Sequence, residues 1–331
     1  MSSSDSSKPH ECVVAPEEAG LRLDVFLAGE IPDASRSLLK QAIKEECVLV
    51  NAKAIRRPSR TVAEGDRITV QLPPQLPSRL EPENIPIDVV FEDSDLLIVN
   101  KPSGLVVHPA PGHPNGTLVN AVLYHCKDFQ TPSESTPAAS VRPGIVHRLD
   151  RFTSGLMVIA KSPLAFEGLS RQAREHAFER RYNALIRGEF KEDTGVIRAS
   201  IGRSLADRKR MSVTAINARD AVTHFAVSAR FGSASSVALR LETGRTHQIR
   251  LHLRFAGHPV LGDPMYGVTD FENWAVPVTV QEALENLQGQ ALHAEVLGIK
   301  HPRTNAPLRF SAPPPPDFQA AHAALQTLQS Q

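Results

Sequence analysis

The sequence predicts an α+β protein of two domains, and three observations predict it. Apolar stretches of strand length outnumber helical patterns and do not alternate regularly with them, which favours a mixed, mainly antiparallel sheet flanked by helices over a doubly wound fold. Five prolines, Pro73, Pro74, Pro77, Pro82 and Pro86, separate a short segment from a long one. A length of 331 residues also suits two or three domains better than one.

Residues 1–19 are polar, with acids at Asp5, Glu11, Glu17 and Glu18, and predict a disordered tail. From residue 20 to 72 the pattern is that of a small α+β module. Leu23, Phe26, Leu27 and Ile31 recur at helical steps, and Pro32 and Asp33 end that helix. Ser35 is placed to cap a second helix carrying Leu38, Leu39, Ala42 and Ile43. Strands follow at Val48–Val50 and, after the Gly65–Asp66 turn, at Arg67–Val70. Residues 73–87 form a semi-rigid linker, because proline locks φ and lacks a backbone donor.

Residues 88–312 predict the larger domain. Strand patterns occur at 89–91, 96–99, 156–160, 182–186, 222–229 and 237–241. Ser162 followed by Pro163 opens a helix through Phe166, Leu169 and Ala173. A further helix is expected with Thr246 as cap and Ile249, Leu253 and Ala256 on one face, stopped by Gly257 and Pro259. Residues 131–143 are a Pro/Ser/Ala-rich loop, and 313–331 a Pro-rich C-terminal tail with an Ala/Gln/Leu helical stretch.

Net charge is near zero, with 37 Lys and Arg against 36 Asp and Glu, which excludes a uniformly basic coat protein and an acidic disordered chain. The three cysteines, Cys12, Cys47 and Cys126, are scattered and odd in number, so neither a disulfide framework nor a CxxC metal pair is expected. No apolar run approaches the roughly 20 residues of a membrane helix, and the opening residues lack the apolar core of a secretory signal. A cytoplasmic chain is expected.

Yet the cations cluster. Between Lys40 and Arg60 lie Lys40, Lys44, Lys53, Arg56, Arg57 and Arg60 against only Glu45 and Glu46. Arg203, Arg208, Lys209 and Arg210 form a second group, and Arg171, Arg174, Arg180 and Arg181 a third. Arginine's planar fork suits phosphates, so segregated clusters point to a nucleic-acid ligand.

Two polar blocks stand in apolar surroundings. In GIVHRLDRFTSGL (144–156), Asp150 sits on a loop between strands, where catalytic residues concentrate; a turn aspartate bonded to its own backbone is the ordinary alternative. In LETGRTHQIR (241–250), a strand turns through Gly244 into a helix N-terminus beside Arg245, a corner with unpaired N–H donors. His247 and His252 do not match the HExxH zinc spacing, and neither a P-loop nor GxGxxG is present.

Taken together, HRLDRFTSGLMVIAKS (147–162), NKPSGLVVHP (100–109), NGTLVNAVL (115–123), ERRYNALIRG (179–188), LETGRTHQIRLHL (241–253), HPVLGDPMYG (258–267) and ALHA (291–294) resemble the motifs of RluA/RluD-type RNA pseudouridine synthases, in the same order. The module before the linker resembles the S4-type RNA-binding domain that precedes many of them. The resemblance implies an isomerase that turns uridine into pseudouridine in RNA, most closely in large-subunit (23S) ribosomal RNA, as a monomer and with neither cofactor nor metal. It implies Asp150 as the essential carboxylate, attacking the sugar or the base or removing a sugar proton. It further implies Arg245 as its ion-pair partner and Tyr182 as the group handling the proton on carbon 5. Arg148 is expected to fill the gap left by a flipped nucleotide. His147 is expected to be structural or phosphate-facing, and Lys40, Lys44, Arg56, Arg57, Arg60, Arg208, Lys209 and Arg210 to hold RNA. A non-catalytic RNA-binding factor has no need of Asp150, Tyr182 and Arg245 together, and a glycoside hydrolase usually needs two carboxylates where this loop supplies one.

Overall fold

The computed structural model describes every residue except 1–8, 33, 35, 73–79, 111, 128, 130–142, 205–209, 214–215, 273 and 331. The chain divides into two compact units, Met1–Arg79 and Leu80–Gln331.

The first unit contains β1 (His10–Val13), α1 (Leu23–Glu30), α2 (Arg36–Lys44), β2 (Val48–Val50), β3 (Lys53–Ala54) and β4 (Arg67–Val70). Its antiparallel sheet runs β1-β4-β2-β3. Leu23, Phe26 and Leu27 of α1 and Leu39, Ala42 and Ile43 of α2 pack on Val48, Val50, Ile68 and Val70. The helical periodicity of the sequence is what places these side chains on one face. The expectation of a disordered tail over 1–19 is corrected in part: His10–Val13 pairs with Val70–Arg67, while residues 1–8 lie outside the described residues. A four-residue edge strand with three exposed side chains carries no apolar run, so its composition hides it. Ser35, the expected cap of α2, and most of the proline linker lie outside the described residues.

The second unit begins at Leu80, inside the stretch expected to be linker. Glu83 and Glu81 meet Asn120 through backbone and side-chain hydrogen bonds of 3.0 and 2.8 Å. Its elements are β5 (Asp88–Glu92), β6 (Leu96–Lys101), α3 (Leu118–His125), β7 (Ser154–Ala160), α4 (Pro163–Arg174), β8 (Glu179–Arg187), β9 (Thr194–Arg198), β10 (Ile201–Arg203), β11 (Met211–Ser212), β12 (Ile216–Arg219), β13 (Val222–Arg230), β14 (Ala234–Leu241), α5 (Gln248–Phe255), α6 (Val278–Glu285), β15 (Leu292–Lys300), β16 (Pro307–Ser311) and α7 (Pro316–Gln326). The main sheet runs β5-β6-β7-β15-β8-β14-β13-β9, with β16 on β15; only β7 and β15 pair in parallel. A small sheet, β11-β10-β12, stands apart from it.

The central strands are covered on both faces, which is why they are apolar throughout rather than alternating. Leu97, Val99, Met157 and Ile159 pack with α3 and α5 on one side. Leu96, Ile98, Leu156 and Val158 pack with α4 on the other. Ser162 caps α4 as expected, its hydroxyl accepting from the Ala165 amide at 3.2 Å. Residues 313–331 are not a tail: Phe318, Ala321 and Leu325 of α7 are buried in a core shared with α6. The prolines serve as its entry, with Pro316 at the first helical position. Among the described residues no helix is long and apolar enough to cross a membrane.

Candidate active site

Asp150 lies on the loop entering β7, and its surroundings explain why that loop holds one shape. Arg151 O accepts hydrogen bonds from Lys101 Nζ and the Gly104 amide at 3.0 and 2.9 Å. Ser103 donates to Phe152 O, and Gln290 to Thr153 Oγ1. Gly155 has φ +113°, and a Cβ there would stand 2.3 Å from Ala294 O, so the parallel pairing of β7 with β15 needs glycine. The loop is therefore clamped from β6, β15 and the turn before it.

The Asp150 side chain does not bond its own backbone. Its Oδ2 accepts from Arg250 Nη1 at 2.9 Å. Arg250 in turn gives Nε and Nη2, both at 2.7 Å, to the fully buried Asp263. Asp263 also accepts from the amides of Met265 and Tyr266, and the Tyr266 ring lies 5.0 Å from the guanidinium. Although burial works against the charge, the carboxylates of Asp263 and Asp150 raise the Arg250 pKa above its ordinary value. Burial pushes the Asp263 carboxyl up, but Arg250 and the two amides outweigh it and hold the group below its usual range.

The expected pairing of Asp150 with Arg245 is thus corrected to Arg250. The helix opens one residue later than Thr246 predicts, because His247 adopts φ +58° and becomes the cap. Arg245 consequently stays on the turn, with Nε bonded to Asp220 O at 3.2 Å, while Arg250 enters the first helical turn facing inward. Gln248 fixes that turn by accepting from the Arg245 amide and the Thr243 hydroxyl.

These groups open onto a cleft of about 620 Å³, lined also by Arg148, Arg174, His176, Arg180, Tyr182 and Gly244. Asp150 is the only carboxylate among its lining residues, in a wall rich in arginine. Tyr182 is buried, and burial, aided by Asp150 and opposed by Arg180, raises its phenol pKa further. The phenol therefore enters any proton transfer protonated. Burial lowers His247, whose Nε2 lies 3.9 Å from Asp150 Oδ1 and whose Nδ1 meets the Tyr266 hydroxyl at 3.0 Å.

His147 does not face RNA with both nitrogens. Its Nε2 accepts from the Val158 amide of β7 at 3.0 Å, its ring meets Phe178 edge-on, and burial together with Arg180 brings its pKa down to about 3. It is a neutral brace for the loop. Arg148, one residue on, is exposed at the cleft.

In the first unit Lys40 pairs with Asp24, Arg56 with Glu46 and Arg60 with Asp66. Lys44 and Arg57 are exposed and have no ion pair among the described residues. Arg208 and Lys209 lie outside those residues, and Arg210 borders them beside β11.

Lys101, to which the sequence assigns no role, is buried beneath the Asp150 loop. Burial brings its pKa down to about 7, against the pull of Asp150. Its Nζ donates to the carbonyls of Pro102, Leu105 and Arg151 at 2.8–3.0 Å. Elsewhere, potential metal-ligand atoms of Glu92, His125 and Cys126 lie within 4.8 Å of one another. Glu92 there is already matched by Lys161 at 2.5 Å, and burial and Glu92 push the Cys126 thiol up to about 11.

Comparison with known proteins agrees with this geometry. Residues 95–255 match the RNA pseudouridylate synthase model and residues 21–68 the S4 domain. A protein of Aquifex aeolicus described as an uncharacterized RNA pseudouridine synthase is 43% identical, over 92% of this chain and 94% of its own. The ribosomal large subunit pseudouridine synthase D of Zymomonas mobilis is 42% identical, over 94% of this chain and 96% of its own. The structure of human RNA pseudouridylate synthase domain containing 1 shares the fold, with TM-score 0.54 and 24% identity over 75% of this chain and 97% of that one. The chain belongs to the RNA pseudouridylate synthase family, with an S4 domain in front. It is an isomerase acting on uridine in RNA.

Proposed function

We propose that this enzyme converts uridines of large-subunit ribosomal RNA to pseudouridine, with Asp150 as the essential carboxylate and no cofactor. The observation carrying this reading is the pairing of Asp150, the only carboxylate lining the cleft among the described residues, with an Arg250 that Asp263 already holds on its other side. The reaction breaks the bond from sugar carbon 1 to base nitrogen 1 and makes one to base carbon 5. Carbon 5 loses a proton and nitrogen 1 ends with one. Composition and oxidation state are unchanged, so no redox or group-transfer partner is consumed.

Asp150 supplies the oxygen that initiates bond exchange at the sugar or the base, or accepts the sugar proton. A preorganised cation beside it stabilises charge where charge changes during reaction. Tyr182 lines the cleft with an aromatic side chain suited to a planar base. The large-subunit assignment rests on relatives such as the Zymomonas mobilis and Haemophilus influenzae synthases D, the latter 40% identical over 95% of this chain. Exposed Lys44 and Arg57 in the S4 unit supply long-range attraction to phosphates.

Pseudouridine mapping of all RNA from a deletion strain, with and without a plasmid-borne copy, tests the assignment. Loss and restoration at discrete large-subunit positions is the expected result. Losses confined to transfer or messenger RNA would overturn the substrate, and no loss at all would overturn the assignment.

A further inference from the structure

Arg180 enters the cleft from β8, two residues before Tyr182, and its guanidinium is not satisfied by the described residues. Its Nε is buried and has no hydrogen-bond partner among the described residues. It makes no ion pair among them either, whereas its neighbour Arg181 lies 3.9 Å from Glu179. The guanidinium rests over Gly244: a Cβ on that residue would come 3.1 Å from Arg180 Nη1. Glycine at 244, whose φ lies outside the left-handed region, thus leaves the guanidinium a few tenths of an ångström more room than a Cβ would. The charge is felt on both sides, since Arg180 depresses His147 and opposes the rise of Tyr182.

A charged N–H taken out of water without an acceptor is unfavourable, and native structures rarely keep one without a reason. The acceptor here must come from the ligand. Its chemistry follows from the charge balance of the cleft. Among the described residues Asp150 is the only lining carboxylate, and it is matched by Arg250. Arg148, Arg174, Arg180 and Arg245 line the same cleft without a carboxylate partner among the described residues. Such a surplus calls for anionic oxygen, and the fork of arginine fits phosphate in a way a neutral base carbonyl does not exploit.

We propose that Arg180 binds a backbone phosphate of the RNA beside the target uridine, in a subsite that Gly244 opens for it. This rests on the reading of the cleft as the site of uridine isomerisation, but not on which RNA is the substrate. The phosphate clamps the strand across the cleft from Asp150, so that the uracil lies against Tyr182.

The test uses the full chain and total RNA from a strain lacking it, which contains whatever RNA is the true substrate. Pseudouridine formation is followed at the positions that wild type modifies, as kcat/KM between about 50 and 200 mM salt. For Arg180→Gln the expected result is a kcat/KM lowered about tenfold or more at low salt, with a logarithmic salt slope shallower by about 0.7, the value for one lost single-strand phosphate contact. Arg180→Lys should keep the wild-type slope while recovering only part of the rate, because it retains charge but not the fork. A fall in rate with unchanged slope would mean a neutral acceptor and would overturn the proposal. So would a lowered melting temperature with unchanged kcat/KM, the mark of a structural role. Modification by wild type outside ribosomal RNA would refute the substrate reading alone, since the Arg180 slopes are measured on whichever RNA reacts.

Discussion

The two walls of the cleft are built differently. On the α5 side, Arg250 divides Nε, Nη1 and Nη2 between two carboxylates, and Asp263 takes two backbone amides as well. On the β8 side, Arg180 keeps a buried Nε with no partner among the described residues. On the proposed reading, the first wall is complete before substrate arrives and substrate completes the second. The difference suits a division of labour: a reacting carboxylate benefits from a fixed environment, whereas a binding cation gains most from an acceptor that only the correct ligand brings.

The comparison breaks first at Asp150. Asp150→Asn preserves shape and removes the carboxylate, so pseudouridine formation should fall by at least about 10³-fold in single-turnover assays while RNA affinity changes little. Residual turnover within tenfold of wild type would put the chemistry elsewhere. Next is Arg250→Met, which leaves two carboxylates without their shared cation. The buried Asp263 should cost about 3–5 kcal/mol of stability, read as a lowered melting temperature, and the rate of the folded fraction should fall about 10²-fold.

Asp263→Asn should act more mildly, because Arg250 keeps Asp150 but loses its two-point hold. A kcat lowered about tenfold with KM nearly unchanged is expected, since positioning of the reacting groups, not RNA binding, is affected. An unchanged kcat would make Asp263 a packing residue only.

The smallest expected effect concerns Lys101, whose pKa falls from 10.5 to about 7 on burial. The unfolded chain then binds more protons than the folded one between those values, so stability should rise with pH across that window. Relative to Lys101→Met, wild type should gain stability from about pH 7 to pH 10 in urea titrations. A constant difference would show that the three carbonyls keep the ammonium charged throughout.

How much of this was legible in the sequence depended on whether the information is local. Asp150 announces itself because a polar run interrupts two apolar strands, and the helix after Ser162 because cap and proline are adjacent. The choice between Arg245 and Arg250 was not legible, since it turns on the φ of one residue, His247. Asp263 and Lys101 stood within quoted motifs without a role because their partners lie 13 and 50 residues away. The strand at His10–Val13 and the docking of the helix at Pro316–Gln326 leave no local signal because each is stabilised by what it packs against.

The most direct measurement is a structure of the Asp150→Asn chain bound to an RNA fragment containing its target uridine. A backbone phosphate oxygen is expected about 3 Å from Arg180 Nε, with Arg250 still held by Asp263 and turned toward residue 150. That expectation is contradicted if Arg180 Nε gains no phosphate acceptor, or if Arg250 leaves Asp263 to bind the RNA.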